Sequence, residues 1–115
     1  MEHANWFHDI EIFKDEHGVY CIDADGHGPE SSCAVVSTVF AFMEAMLDRV
    51  GAAYEITSDP RRGRRKLVSV ASDGRKVLSV GADVLMAASV CEPTRGYIFV
   101  KSSCDFRKNN TTERH

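Results

Sequence analysis

No apolar run in this sequence approaches the roughly 18 residues that a membrane helix needs, so no spanning segment is expected. The opening residues, Met1-Glu2-His3-Ala4-Asn5, contain neither a basic stretch nor an apolar core, and no secretory signal is expected either. No Cys-x-x-C pair occurs, which removes the usual zinc spacing. Gly26-His27-Gly28 lacks the third glycine and the lysine of a phosphate-cradling loop. Neither sign of charge dominates: the net charge is −3, so whole-molecule attraction to nucleic acid or anionic lipid is not implied. No internal repeat is visible. These absences predict a cytoplasmic protein with no cofactor, no metal and no membrane partner.

What is present is ordinary globular material, 43% hydrophobic and 27% charged over 115 residues. That length fits one domain, and it buries enough surface to fold without disulfides. The four cysteines, Cys21, Cys33, Cys91 and Cys104, are then expected as free thiols in a reducing compartment.

Apolar spacing divides the chain into seven elements. Ile10–Lys14 and Val19–Asp25 read as strands around the turn Asp15-Glu16-His17-Gly18, and so as a hairpin. Gly26-His27-Gly28-Pro29 breaks the second strand. A long helix is predicted from about Ser31 to Val50, with Ser31 or Ser32 as N-cap and Gly51 as the stop. Its apolar stripe is Val36, Phe40, Met43 and Leu47. Ala53–Thr57 and Leu67–Ala71 read as strands, Ser58–Arg65 as a loop, and Ser72-Asp73-Gly74 as a turn. A second helix follows from about Arg75 to Cys91, with the stripe Val77, Val80, Val84 and Leu85 and a stop at Pro93. Tyr97–Lys101 is the last strand. The order β-β-α-β-β-α-β predicts an α+β domain over residues 1–104, one sheet with two helices packed on a face. Residues 105–115 read as a polar C-terminal tail. Trp6-Phe7 is expected to pack the start of the chain onto the sheet.

The chemistry-bearing segment runs from Gly26 to Ser37. It places His27 at a strand end and Cys33 at a helix start, six residues apart. The first N–H groups of a helix have no intrahelical partner and the dipole there is positive. A thiolate is favoured at such a position. An imidazole nearby can take the thiol proton and later protonate a leaving amine, while the free N–H groups hold an oxyanion. The packing alternative is equally consistent with the spacing. Cys33 precedes Val36 and Phe40 by three and seven, as the first buried residue of the stripe would, and His27 would then be a solvated loop residue.

Gly26-His27-Gly28 and Cys33-Ala34-Val35-Val36-Ser37 resemble the two motifs of the ribosomal-processing cysteine protease Prp (YsxB-like) family, of bacteria and some of their phages. The family pattern is Gly-His-Ala after the second strand, then a flexible loop, then Asp-Ile/Val-Val-Cys-Ala/Ser-Ala-Val-Ser opening a long helix. The resemblance extends over roughly residues 8–103. It implies a His27/Cys33 catalytic dyad with Gly26, Gly28, Ser31 and Ser37 in support. It also implies a homodimer, and cleavage of an N-terminal extension from a ribosomal protein or of a phage structural precursor. Three departures stand out. The loop between His27 and Cys33 is shorter, Ser31 occupies the place of the family's acid, and Gly28 that of its alanine. Glu30 is the adjacent carboxylate. The departures leave a rival reading, a catalytically inactive binding module on the same fold that holds a peptide or partner protein as a host or phage adaptor.

Three further features were weighed. Asp23, Asp25 and His27 alternate along a strand, which suits a solvated face, a metal, or a carboxylate that orients His27. Arg61, Arg62, Arg64, Arg65 and Lys66 form a basic stretch, the one feature through which nucleic acid or an acidic partner would be met; no aromatic interleaves it for base stacking. His3, His8 and His17 lie outside any recognisable metal spacing.

Overall fold

The computed structural model describes residues 6–103; Cys104, His3 and the polar tail 105–115 lie outside the described residues. The element order is β1 (His8–Lys14), β2 (Tyr20–Gly26), α1 (Glu30–Val50), β3 (Tyr54–Asp59), β4 (Arg64–Ser69), α2 (Ser72–Ala88) and β5 (Ile98–Ser102). The strands form one sheet in the order β3-β4-β2-β1-β5. All neighbours are antiparallel except β1 and β5. The α+β architecture read from the sequence is therefore the one observed.

Strand alternation sets the two faces of the sheet. Ile10 and Ile12 on β1, Ile22 and Ala24 on β2, Leu67 on β4 and Ile98 on β5 point to one side and are buried in one cluster with both helices. The register pairs Ile10 with Ala24 and Ile12 with Ile22. α1 contributes Val36, Val39, Phe40, Met43 and Leu47. Gly51 ends the helix in the left-handed region (φ 72°) and its N–H caps the carbonyls of Leu47 and Asp48.

Four expectations are corrected. The α1 N-cap is Pro29, not Ser31 or Ser32. Proline lacks the N–H that a cap position does not need, and the Ser32 hydroxyl donates back to the Pro29 carbonyl at 2.8 Å. The second correction concerns α2, which starts at Ser72 and ends at Ala88, well before Pro93. Gly74 is admitted to its first turn because its bare Cα lies against Ser69 and Leu47, and Thr94 Oγ1 takes the Ala88 carbonyl (2.5 Å) at its end. Thirdly, Val80 and Val84 are 49% and 44% exposed rather than sheet-facing. The buried face is Val77, Leu78, Gly81, Ala82, Leu85 and Ala88, and Gly81 lets Met43 of α1 come into contact. Lastly, Ser58–Arg65 is no loop. β3 and β4 pair as far as Asp59 with Arg64, leaving a turn over 60–63 closed by Gly63 at φ 69°.

That hairpin splits the basic stretch. Arg61 and Arg62 sit on the turn, while Arg64, Arg65 and Lys66 alternate along β4. Asp23 receives two hydrogen bonds from Arg64 (3.2 and 2.8 Å) and Asp25 pairs with Arg62 (3.3 Å). The two carboxylates thus bind arginines rather than orient His27, and no group of metal-ligating side chains occurs among the described residues. Cys33 and Cys91 are free thiols, and the Cys21 sulfur donates to the Val19 carbonyl (3.6 Å). Phe7 packs edge-to-face on Phe99 (5.1 Å), whereas Trp6 is 62% exposed and does not seal the sheet. No helix among the described residues is long and apolar enough to cross a membrane.

Candidate active site

β1 and β2 end side by side, with His8 opposite Gly26. The chain then turns through His27, Gly28 and Pro29 into α1. The β3–β4 turn closes over this point through a hydrogen bond from Gly26 N–H to the Gly63 carbonyl (3.2 Å). Between them lies a cleft of about 200 Å³. His8, His27, Cys33 and Ser37 are its reactive lining, Ala24 and Val36 its apolar floor, and Ser58, Pro60, Arg64 and Arg65 its outer wall.

The sequence therefore brings His27, Cys33, Ser37 and Gly26 to one cleft, as expected. Ser31 is exposed and does not line it. The thiol of half-buried Cys33 donates to the Gly28 carbonyl at 3.3 Å. His27 Nε2 lies 3.3 Å from the Arg61 carbonyl, so its ring leans on the β3–β4 turn.

The helix start is arranged differently from the expectation at one point. The Cys33 N–H is already bonded to the Pro29 carbonyl (3.0 Å). The N–H groups without intrahelical partners are those of Glu30, Ser31 and Ser32, one turn earlier. These groups carry the positive end of the helix dipole, in the turn that leads into Cys33.

Reading β1 from Ile10 leaves out His8, although the alternation His8-Ile10-Ile12 already placed it on the buried face. His8 is 4% exposed and its Nε2 has no hydrogen-bond partner. Burial, and then the nearby His27, lower its pKa from the usual histidine range; a hydrogen bond to the Gly26 main chain opposes them.

Glycine is required around both imidazoles. A Cβ on Gly63 would press on the His27 ring at 2.7 Å and on the Gly26 carbonyl. A Cβ on Gly28 would sit 2.6 Å from Ser32 Oγ and 3.3 Å from His8 Nε2. The departure at Gly28 thus has a physical reason in this chain: the buried His8 ring and the Ser32 hydroxyl fill the space of a methyl group. Gly28→Ala is expected to destabilise the protein by about 1–3 kcal/mol, the usual cost of overpacking. Urea unfolding should show a lower midpoint at unchanged slope.

No protein-family model matches the chain, and neither does any curated protein sequence. Solved structures do. The fold is Prp-like. The crystal structure of an essential ribosomal processing protease, Prp from S. aureus, in complex with a covalently linked product peptide is similar at a TM-score of 0.69 and 20% identity, over 84% of this chain and 100% of that one. The same protease in complex with a substrate peptide gives 0.65 and 18%, with the same coverage. SMU.848 from Streptococcus mutans gives 0.67 and 12%, over 84% and 96%. At these identities the likeness is one of fold.

Proposed function

We propose that this protein is a cysteine endopeptidase of the Prp type. The observation that carries the reading is the cleft itself: a half-buried thiol beside a helix start with free N–H groups, with imidazoles lining the same space. Cys33 attacks the scissile carbonyl as thiolate. An imidazole, assigned to His27 by the motif resemblance, takes the thiol proton and returns it to the leaving amine. Backbone N–H groups near Cys33 hold the developing oxyanion, and Ser37 lines the site one turn beyond Cys33. No cofactor enters the reaction. The substrate is a peptide segment of a larger protein, an N-terminal extension of a ribosomal protein or a phage structural precursor. Two copies of the chain are taken to associate, in keeping with the apolar residues Phe42, Val80 and Val84 left exposed on the helices.

A second reading keeps the cleft and removes the reaction: a peptide-binding module. The observation favouring it is that Cys33 and His27 each hydrogen-bond to a main-chain carbonyl, Gly28 and Arg61.

Exposure to a mixed peptide pool, with new termini read by mass spectrometry, separates the two. The expected result is a restricted set of cleavages, lost once iodoacetamide has modified Cys33. Intact peptides, together with a Cys33 that alkylates in the native protein no faster than free cysteine, would establish the binding module.

A further inference from the structure

The cleft contains two histidines, and the one outside the family motif is the better placed to accept a proton. Both ring and thiol converge on Gly28: His8 Nε2 lies 3.3 Å from where a Gly28 Cβ would be, and the Cys33 thiol is 3.3 Å from the Gly28 carbonyl. His8 Nε2 is buried and unpartnered in the cleft. With Nε2 unpartnered, its lone pair is free when the ring proton sits on Nδ1. An imidazole that donates from Nδ1 has its lone pair on Nε2, the tautomer a general base needs. His27 is differently occupied. Its Nε2 faces the Arg61 carbonyl (3.3 Å), and a nitrogen that donates to a carbonyl cannot accept a thiol proton at the same time.

The geometry points to His8 as a second catalytic imidazole, the group that takes the proton from Cys33. This rests on the endopeptidase reading and revises one assignment in it: the first proton acceptor is His8 rather than His27. The balance is simple. Cys33 Sγ–H gives its proton to His8 Nε2, leaving thiolate and imidazolium. The thiolate forms the C–S bond, the peptide C–N bond breaks, and the amine leaves with the proton from the imidazolium. Water then cleaves the thioester and restores the thiol. His8 shares the cleft with His27, just beyond the end of β2, with Cys33 from α1 and with Arg65 from β4, while Arg64 turns its guanidinium to Asp23; its β5 neighbour, Ile98, is apolar. Burial, and then the nearby His27, disfavour a standing imidazolium, so the ring is held toward its neutral form and is charged only while the thiolate exists beside it.

The test is the rate of Cys33 alkylation by iodoacetamide in the folded protein from pH 5.5 to 9, in wild type, His8→Gln and His27→Gln. The expected result is a loss of about tenfold at pH 6.5 in His8→Gln, larger than the loss in His27→Gln, because the first proton transfer belongs to His8. A His8→Gln profile that overlays wild type, while His27→Gln slows, would overturn the proposal and leave the peptidase intact. A wild-type profile equal to that of free cysteine would overturn the peptidase reading as well. If His8→Gln does not fold, nitrogen-15 NMR of the histidines in the intact protein decides. Nε2 of His8 should be unprotonated at pH 7, and Cys33→Ala should shift the His8 titration. A His8 titration that ignores Cys33 would overturn the proposal.

Discussion

Cys33→Ala is expected to reduce peptide cleavage by on the order of 10³-fold or more, while leaving the fold in place. The two halves of that expectation come from different facts. Cys33 is half-buried and opens into the cleft, so the loss of one sulfur leaves little cavity. Its N–H stays bonded to Pro29, and Pro29 also holds Ser32. The helix start is therefore built without the thiol, and a stability loss below about 1 kcal/mol is expected. The chemistry, by contrast, has no substitute. Ser31 is exposed outside the cleft, and the buried Ser32 hydroxyl is committed to the Pro29 carbonyl. Cleavage should be followed by product termini and stability by urea unfolding on the same sample. Retained cleavage in Cys33→Ala would locate the reaction elsewhere and end the cysteine reading.

The fold was legible wherever one residue type dominated a face. Val36, Phe40, Met43 and Leu47 share one stripe of α1, and Ile10 and Ile12 share one side of β1, so period and burial agree. Legibility failed where burial depends on small residues or on neighbours distant in sequence. Gly81 makes room for Met43 on the buried face of α2, and the larger Val80 and Val84 face outward. The Arg-rich stretch reads as a loop because arginine seldom marks a strand. β4 nevertheless begins at Arg64, since β2 supplies Asp23, opposite Lys66 and so diagonal to Arg64, to receive its guanidinium.

The site divides in the same way. His27 and Cys33 announce themselves by flanking glycines and by position at a strand end and a helix start. His8 belongs to the cleft only because β1 lies beside β2 and pairs it with Gly26, a contact that no local motif encodes. Nor does local sequence show that Gly63 brings the Arg61 carbonyl to the His27 ring.

Phe40→Ala is the substitution expected to cost most stability, about 3–5 kcal/mol by the usual cost of emptying a buried aromatic site. Phe40 is 1% exposed, in the middle of the stripe that joins α1 to the sheet. Its neighbours along the helix, Val36, Val39, Met43 and Leu47, are themselves buried, so no solvent reaches the space it would vacate. A domain of this size has roughly 5–15 kcal/mol in total, so the variant should melt well below wild type. Phe42→Ala is the matched control. Phe42 is on the same helix but 38% exposed, and its loss is expected to cost less than about 1 kcal/mol. The same docking fixes the position of Cys33, since α1 is one continuous helix from Glu30 to Val50. Phe40→Ala should therefore also loosen the cleft below its melting point, seen as greater scatter in peptide cleavage sites and as faster hydrogen exchange at the start of α1. Equal melting temperatures for the two phenylalanine variants would show that α1 is held to the sheet by something other than this stripe.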